Sequence, residues 1–401
     1  MKIAFITNEA YPSGMATTNR IHSLAKGLSE LKNEVVVFCV KPSEQKENII
    51  NKERKGIKDG VHFCYTTKSV VWPNSKFKKL YYLVFGFLKF FPVFNNYNKL
   101  SKFDFVITTT SGLFSNFLYT RYLKFKKIKF LNALDEYPHV VRNKNEYPQW
   151  FSRFYLKHFY KFFNGLIIMT TPLIKYYRLL SNAPIKHIPM TVETERFMNV
   201  QTDRPIKEPY IAYCGNIGQS EKDGVPNLIK AFGIVKRTLD VSNLKLIIIG
   251  GTKPSDFEKV LGQLKKYTDE EGVQNDTIFT GKINRSGMAQ YLCNAELLAL
   301  ARPSSIQSQG GFPTKLGEYL ATGVPTVVTS VGEIPEYLHD GKNAFISVPD
   351  SPKEFANKII QALNNIKTAK EVGNNGQVLA LDVFNYQVQS SNLNVFLKKL
   401  L

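Results

Sequence analysis

The residues 302–328, RPSSIQSQGGFPTKLGEYLATGVPTVV, carry the densest chemistry in the sequence. Gly310 and Gly311 precede Phe312 and Pro313, after which the pattern turns helical. Proline suits a first helical turn, so Pro313 predicts a helix start whose unpaired N–H groups can receive an anion. Lys315 adds positive charge for a phosphate in that turn. Glu318 lies about one turn on, where a carboxylate can accept two hydrogen bonds from a ribose diol. A glycine-rich turn capping a core helix is the plainer alternative. Three other loops carry weaker signals. CGNIGQSEKDG (214–224) offers Lys222 to a diphosphate, or is a solvated turn. In NEAYPSGMATTNR (8–20), Gly14 permits close backbone approach and a following helix offers free N–H groups. FLNALDEYPHVV (130–141) places Asp135, Glu136 and His139 just after a strand, or else forms an acidic helix cap.

Such loops need strands beneath them. KIAFIT (2–7), EVVVFCV (34–40), DFVITT (104–109), KIKFLNAL (127–134) and GLIIMT (165–170) read as buried strands with helices between. Ile21, Leu24, Ala25, Leu28 and Leu31 share one helical face, with Thr17 or Thr18 as its cap. After QTDRPIKEP (201–209) the rhythm restarts with YIAYCG (210–215), LKLIIIGG (244–251), DTIFTG (276–281), ELLALA (296–301), PTVVTS (325–330) and NAFISV (343–348). Helices are expected around 226–237, 254–267, 285–294 and 351–364. This alternation implies an α/β chain of two doubly wound, mostly parallel sheets. The expected domains are 1–200, facing acceptor and membrane, and 201–382, binding the donor; 383–401 folds back on the first.

The 401 residues, 43% hydrophobic and 21% charged, suit a globular protein with a substantial core. Cys39, Cys64, Cys214 and Cys293 are scattered, which argues against a zinc ribbon or a disulfide scaffold and for a reducing, cytoplasmic setting. No secretory signal is visible and no apolar run is long enough to span a bilayer. The net charge of +20 is concentrated: residues 1–200 hold 31 Lys and Arg against 13 Asp and Glu, and residues 201–401 hold 22 against 20. Such asymmetry points to a polyanionic partner. Residues 76–102 flank a Phe- and Tyr-rich block with lysines, and Lys76, Phe77, Lys78, Lys79, Phe87 and Lys89 suit an anionic membrane surface. In WFSRFYLKHFYKFF (150–163), Phe151, Phe154, Tyr155, Phe159 and Phe162 recur at helical spacing. Both stretches also read as core helices with snorkelling lysines. No nucleic-acid module signature is present, so nucleic acid is not an expected partner.

Three passages resemble the retaining nucleotide-sugar glycosyltransferases of family 4, of bacterial surface-polysaccharide type. These are HIPMTVETERF (187–197), FTGKINRSGMAQYLCNAELLALARPSS (279–305) and GGFPTKLGEYLATGVPTVV (310–328). The resemblance implies the GT-B fold, two Rossmann-like domains facing across a cleft. It also implies that Glu318 binds the ribose and that the base meets backbone near Lys282 and Ile283. Lys222, Lys315 and the backbone amides of Gly311, Phe312, Pro313 and Thr314 would face the diphosphate, and the Gly14 loop would close over it. No metal or other cofactor is expected, because lysines, amides and a helix dipole can stabilise the leaving group. The sequence departs from the family at three points. Gly310 stands where the first of two paired glutamates is usual, Asn216 replaces a basic residue, and Leu134-Asp135 replaces His-Asp. Asp135 or Glu136 is then the candidate to orient the acceptor hydroxyl.

The implied activity is transfer of a sugar from a nucleotide-diphosphate donor to a lipid-linked glycan acceptor at the inner face of the plasma membrane. A non-catalytic membrane- or polyanion-binding protein on the same scaffold, an epimerase and a phosphorylase are the alternatives.

Overall fold

The computed structural model describes residues 1–47, 49–138, 149–198, 200 and 203–401. His139 lies outside them. The chain forms two compact units: Met1–Thr191 with Tyr386–Leu401, and Val192–Asn385.

The first unit contains β1 (Lys2–Thr7), α1 (Ala16–Glu30), β2 (Glu34–Cys39), β3 (Lys55–Lys58), β4 (Val61–Tyr65), α2 (Lys76–Leu100) and β5 (Phe105–Thr108). It continues with α3 (Leu113–Phe125), β6 (Lys129–Leu134), α4 (Gln149–His158), β7 (Gly165–Ile168), α5 (Thr171–Arg178) and β8 (Ile185–His187). The sheet order is β3-β4-β2-β1-β5-β6-β7-β8. Every residue of β1 is buried, as a near-continuous apolar run must be when helices cover both sheet faces. Ile3 and Phe5 face a core that includes Leu24 and Leu28 of α1; Ala4 and Ile6 face one built from Phe90, Phe94, Tyr119 and Phe159. The chain reverses its direction across the sheet between β1 and β5, and the loops after these strands flank that switch point.

The second unit contains β9 (Tyr210–Cys214), α6 (Ser220–Asp223), α7 (Val225–Thr238), β10 (Lys245–Ile249), α8 (Pro254–Glu270), β11 (Thr277–Gly281), α9 (Arg285–Cys293) and β12 (Leu297–Leu300). Then come α10 (Ile306–Gly310), α11 (Thr314–Ala321), β13 (Thr326–Thr329), α12 (Ile334–Tyr337), β14 (Phe345–Ser347), α13 (Pro352–Asn364) and α14 (Ile366–Leu379). Its sheet is wholly parallel, ordered β11-β10-β9-β12-β13-β14. Its switch point falls between β9 and β12, which brings the loops 215–224 and 301–313 together. The last helix, α15 (Tyr386–Leu400), packs on α1 of the first unit.

Several expectations are corrected. The first sheet is mostly parallel as expected, but it adds the edge strands β3, which pairs antiparallel with β4, and β8, neither of which has a clean apolar run to announce it. The residue capping α1 is Met15, while Thr18 lies inside the helix and donates through Oγ1 to the carbonyl of Ala10 at 2.7 Å. Phe87 does not belong to an outward face: it is half-buried against Phe91, Phe114 and Tyr119. The outward stripe of α2 is instead Phe77, Leu80, Tyr81, Val84 and Leu88, with Phe77 87% exposed. Residues 150–163 do not make one helix. The α-helix ends at His158 and a 3-10 turn follows, so Tyr155, Phe159, Tyr160 and Phe163 are buried while Phe154 and Phe162 are exposed. Among the described residues, no helix is long and apolar enough to cross a membrane.

Candidate functional site

Beyond β9 the backbone turns at Gly215, whose N–H donates to the carbonyl of Ile249 at 2.9 Å. The Asn216 side chain is used locally: its Oδ1 accepts the N–H of Gly218 at 2.9 Å, capping the turn Ile217–Gln219. The short helix α6 then presents Lys222 outward, exposed and without a side-chain partner among the described residues, and Asp223 inward. Gly224 ends it in the left-handed region (φ 73°), pressed so closely on Ala301 that a Cβ would run into that carbonyl. The first loop is thereby locked onto the end of β12.

The second loop differs from both sequence readings, a helix starting at Pro313 and a glycine-rich turn. Residues 306–310 form a one-turn helix capped by Ser305, whose Oγ accepts the Ser308 N–H at 3.0 Å while Ser308 Oγ accepts the Ser305 N–H at 2.8 Å. Pro313 is not in the first turn of α11 but is its extended N-cap residue. The expected row of four amides shrinks to two. Gly311 N–H is taken by the Gln307 carbonyl at 2.9 Å, and Pro313 has none. Phe312 and Thr314 supply the remaining pair. The Phe312 side chain contributes nothing to a ligand, since it is buried against Tyr337 and Phe384.

Lys315 and Glu318 project from α11, and each already has a partner. Lys315 Nζ bonds the Asp223 carboxylate, lies 3.3 Å from the Tyr213 hydroxyl, and sits 4.9 Å over the Tyr213 ring. Tyr213 in turn donates to Asp223 at 2.7 Å, and Arg302 Nε stands 3.9 Å from the other Asp223 oxygen. Burial, followed by the facing Asp223 charge, pushes the Tyr213 hydroxyl well above the ordinary tyrosine value, so it stays a neutral donor. Glu318 Oε1 accepts from Arg196 Nη1 at 2.9 Å. Tyr319, fully buried beside Glu318, accepts the Cys214 N–H at 2.6 Å and pins the helix to the end of β9. Burial pushes the Cys214 thiol up to about 12, which rules out a resting thiolate here.

Lys282 and Ile283 follow β11. The Gly281 carbonyl accepts the Gly250 N–H at 3.1 Å, and Lys282 packs on Gly251, so this backbone borders the same strand ends. The second unit therefore places Asn216, Lys222, Gly310 to Lys315 and Glu318 around its switch point, while Lys282 and Ile283 follow the edge strand β11, two strands from it. Asp223, Tyr213, Arg302 and Arg196 escaped the sequence reading. The signals were present, since Asp223 adjoins Lys222 and Arg196 lies within HIPMTVETERF.

The first unit holds the other candidates. The loop carrying Gly14 is braced on both sides. Asn51 accepts the Ser13 N–H at 2.9 Å and donates to its carbonyl at 2.8 Å, and the Tyr65 hydroxyl makes the same two bonds with Tyr11 at 2.9 and 2.7 Å. A Cβ at Gly14 would collide with Thr18, so the glycine serves the loop's own folding. Asp135 is engaged by Arg20 Nε at 3.0 Å, and Arg20 also donates to the carbonyls of Ile188 and Pro189. The Glu136 carbonyl accepts from Tyr177 at 3.0 Å. Among the described residues no group of three His, Cys, Asp or Glu could hold a metal ion.

Residues 208–365 match the family described as "Glycosyl transferases group 1". The chain is 26% identical over 319 residues to an uncharacterized glycosyltransferase of Methanocaldococcus jannaschii, covering 75% of this chain and 76% of the relative. Among solved structures, sucrose-phosphate synthase of Thermosynechococcus elongatus superposes with a TM-score of 0.76 at 16% identity, over 100% of this chain and 98% of the other. HepE of Anabaena, solved with UDP, superposes at 0.71 and 14% identity over the whole of both chains; the same protein has also been solved with UDP-glucose. The two-unit architecture is the GT-B fold, and the matched region together with that fold supports a glycosyltransferase.

Proposed function

We propose that this chain is a retaining, metal-independent glycosyltransferase that moves a sugar from a nucleotide-diphosphate donor to a lipid-linked glycan of surface-polysaccharide assembly. The observation that carries the reading is the pairing of Lys315 and Glu318 on one helix beside the switch point of the second unit. The N-terminal amides of α11 and the lysine suit a diphosphate, and the carboxylate suits a ribose diol. The UDP and UDP-glucose complexes of HepE support a donor of this class.

In this reading the acceptor hydroxyl attacks from the face that the leaving diphosphate vacates, through an oxocarbenium-like transition state. The departing phosphate oxygen takes the acceptor proton. Lys315, Lys222 and the amides of Phe312 and Thr314 meet the charge that develops on the leaving group, so no metal is called for. The backbone at Lys282 and Ile283 borders the base. Asp135, held by Arg20, or Glu136 orients the acceptor. The outward stripe Phe77, Leu80, Tyr81, Val84 and Leu88, with Lys76, Lys78, Lys79 and Lys89 beside it, supports a peripheral position on the inner, anionic face of the plasma membrane.

A thermal-shift panel of UDP, GDP and ADP with their sugars tests the donor site. At least one nucleotide should raise the melting temperature by mass action, and Lys315→Ala should abolish the shift. No shift from any nucleotide would refute the reading. Turnover of a nucleotide sugar with no acceptor present would favour an epimerase instead. Flotation with anionic vesicles at low salt tests the membrane arm: the protein should float, and replacing Phe77 and Leu80 with Asp should leave it at the bottom.

A further inference from the structure

Lys315 and Glu318 are three positions apart on α11, the spacing at which opposite charges on a helix meet. Paired with each other, they would be unavailable to a ligand. Each is instead drawn to a partner from another element. Asp223 of α6 takes Lys315, and Arg196 of the 3-10 turn Thr194–Phe197 takes Glu318. Arg196 is itself held in place. Its guanidinium lies 5.0 Å over the Phe197 ring, and Nη2 reaches the Arg285 carbonyl at 3.4 Å. Arg285 in turn bonds the buried Glu193 at 2.7 Å, at the other end of the same short segment. The Arg196 and Glu318 side chains are only 14% and 20% exposed, so their pairing is shielded more than a surface ion pair would be.

The contact uses one carboxylate oxygen. Oε1 receives Arg196, which fixes the rotation of the group, and Oε2 remains to accept hydroxyls. The chain supplying Arg196 also passes the base side of the site: its other anchor, Arg285, begins α9 just after Lys282 and Ile283. From this geometry we propose that Arg196 is a positioning residue that aims the Glu318 carboxylate at a ribose diol, keeps it off Lys315, and so sets selectivity for ribonucleotide over deoxyribonucleotide donors. The proposal rests on the reading of Glu318 as the ribose ligand.

Calorimetric titration of the intact chain with UDP and GDP, and with their 2′-deoxy counterparts, tests it. Hydrogen bonds to a charged group are worth about 1.5–3 kcal/mol, so the wild type should prefer the ribonucleotide by about 10- to 160-fold. Glu318→Gln should erase most of that preference. Arg196→Ala should shrink it toward unity, and Arg196→Lys should restore part of it. Melting temperatures of all variants show whether they are folded, and the ratio of affinities is insensitive to a uniform loss of folded protein. If Arg196→Ala does not fold, Arg196→Gln carries the same comparison. No ribose preference in the wild type, or an unchanged preference in Glu318→Gln, would sink the ribose reading and the proposal with it. A preference lost in Glu318→Gln but kept in the foldable Arg196 variants would overturn the Arg196 proposal alone.

Discussion

At the scale of single residues, the candidate donor site is less cationic than its sequence suggests. Lys315 is neutralised by Asp223, with Tyr213 donating to the same carboxylate and Arg302 standing by. A diphosphate entering this site would share Lys315 with Asp223. Removing the lysine therefore does two things: it deletes a charge that stabilises the leaving group, and it strands a largely buried carboxylate facing the ligand. Lys315→Ala should lower turnover by roughly 10²- to 10³-fold, the range for one transition-state donor. Adding Asp223→Ala should recover part of the loss by removing the stranded charge. Steady-state kinetics of both variants checks this, and a double variant slower than the single one would contradict it. Lys222 is exposed, and a charge in water is worth less than one in a shielded site. Lys222→Ala should therefore cost less turnover than Lys315→Ala under the same assay.

At the scale of elements, the corner between α6 and α7 decides where Asp223 stands. Gly224 holds a left-handed conformation against the end of β12. Gly224→Ala should cost at least about 1–2 kcal/mol from the backbone alone, with the collision against Ala301 added. A drop in melting temperature together with weaker nucleotide binding is the expected result. A second joint ties α7, β10 and the turn before β11: Asp276 accepts from Lys236 at 2.9 Å and Lys245 at 2.7 Å. Burial alone would raise its carboxyl, but the hydrogen bonds and charges of Lys245 and Lys236 outweigh it and hold it below the ordinary aspartate value of 3.8. A carboxyl depressed in the folded state stabilises above its unfolded value and loses that contribution as pH falls through the folded one. Urea unfolding should show Asp276→Asn less stable than wild type by a constant amount from neutral pH down to the carboxylate range. The gap should close only below pH 3.8.

How much of this was legible follows from what each element must satisfy. Buried parallel strands such as KIAFIT and LKLIIIGG need apolar runs on both faces, so they announce themselves. The edge strands β3 and β8 are half-solvated and carry lysines, and nothing in KGIK or IKH separates them from loop. Lys315 and Glu318 were readable because helix spacing fixes their common face. Their partners were not, because Asp223 and Arg196 reach them across about 90 and 120 residues of chain, a proximity that only the strand order creates. Phe87 turns to the core rather than outward, and the sequence does not distinguish the two because aromatic residues ring most of α2, so periodicity leaves more than one candidate face.

At the scale of the whole molecule, the chain ends by returning to where it began. Helix α15 leaves the second unit after Asn385 and completes the core of the first. Leu393 and Leu397 are fully buried there, Tyr386 donates to Glu30 at 2.9 Å, Asn33 donates to Asn394 at 3.2 Å, and Gly27 leaves the room that Ser390 fills. The last 16 residues are thus a structural part of a unit whose other residues lie nearly 200 positions earlier in the chain. Leu393→Ala should destabilise the first unit by about 2–5 kcal/mol, the cost of a large-to-small change in a packed core. The second unit, Val192–Asn385, has its own six-stranded sheet and α15 falls outside it, so its local stability should be spared. Hydrogen exchange resolves the two. Protection in β1 and β2 should fall in the variant while that in β9 and β12 holds, and nucleotide binding, where it depends on the second unit alone, should persist. Equal loss of protection in both sheets would mean that the units unfold as one, and the division drawn at Val192 and Asn385 would then have no energetic meaning.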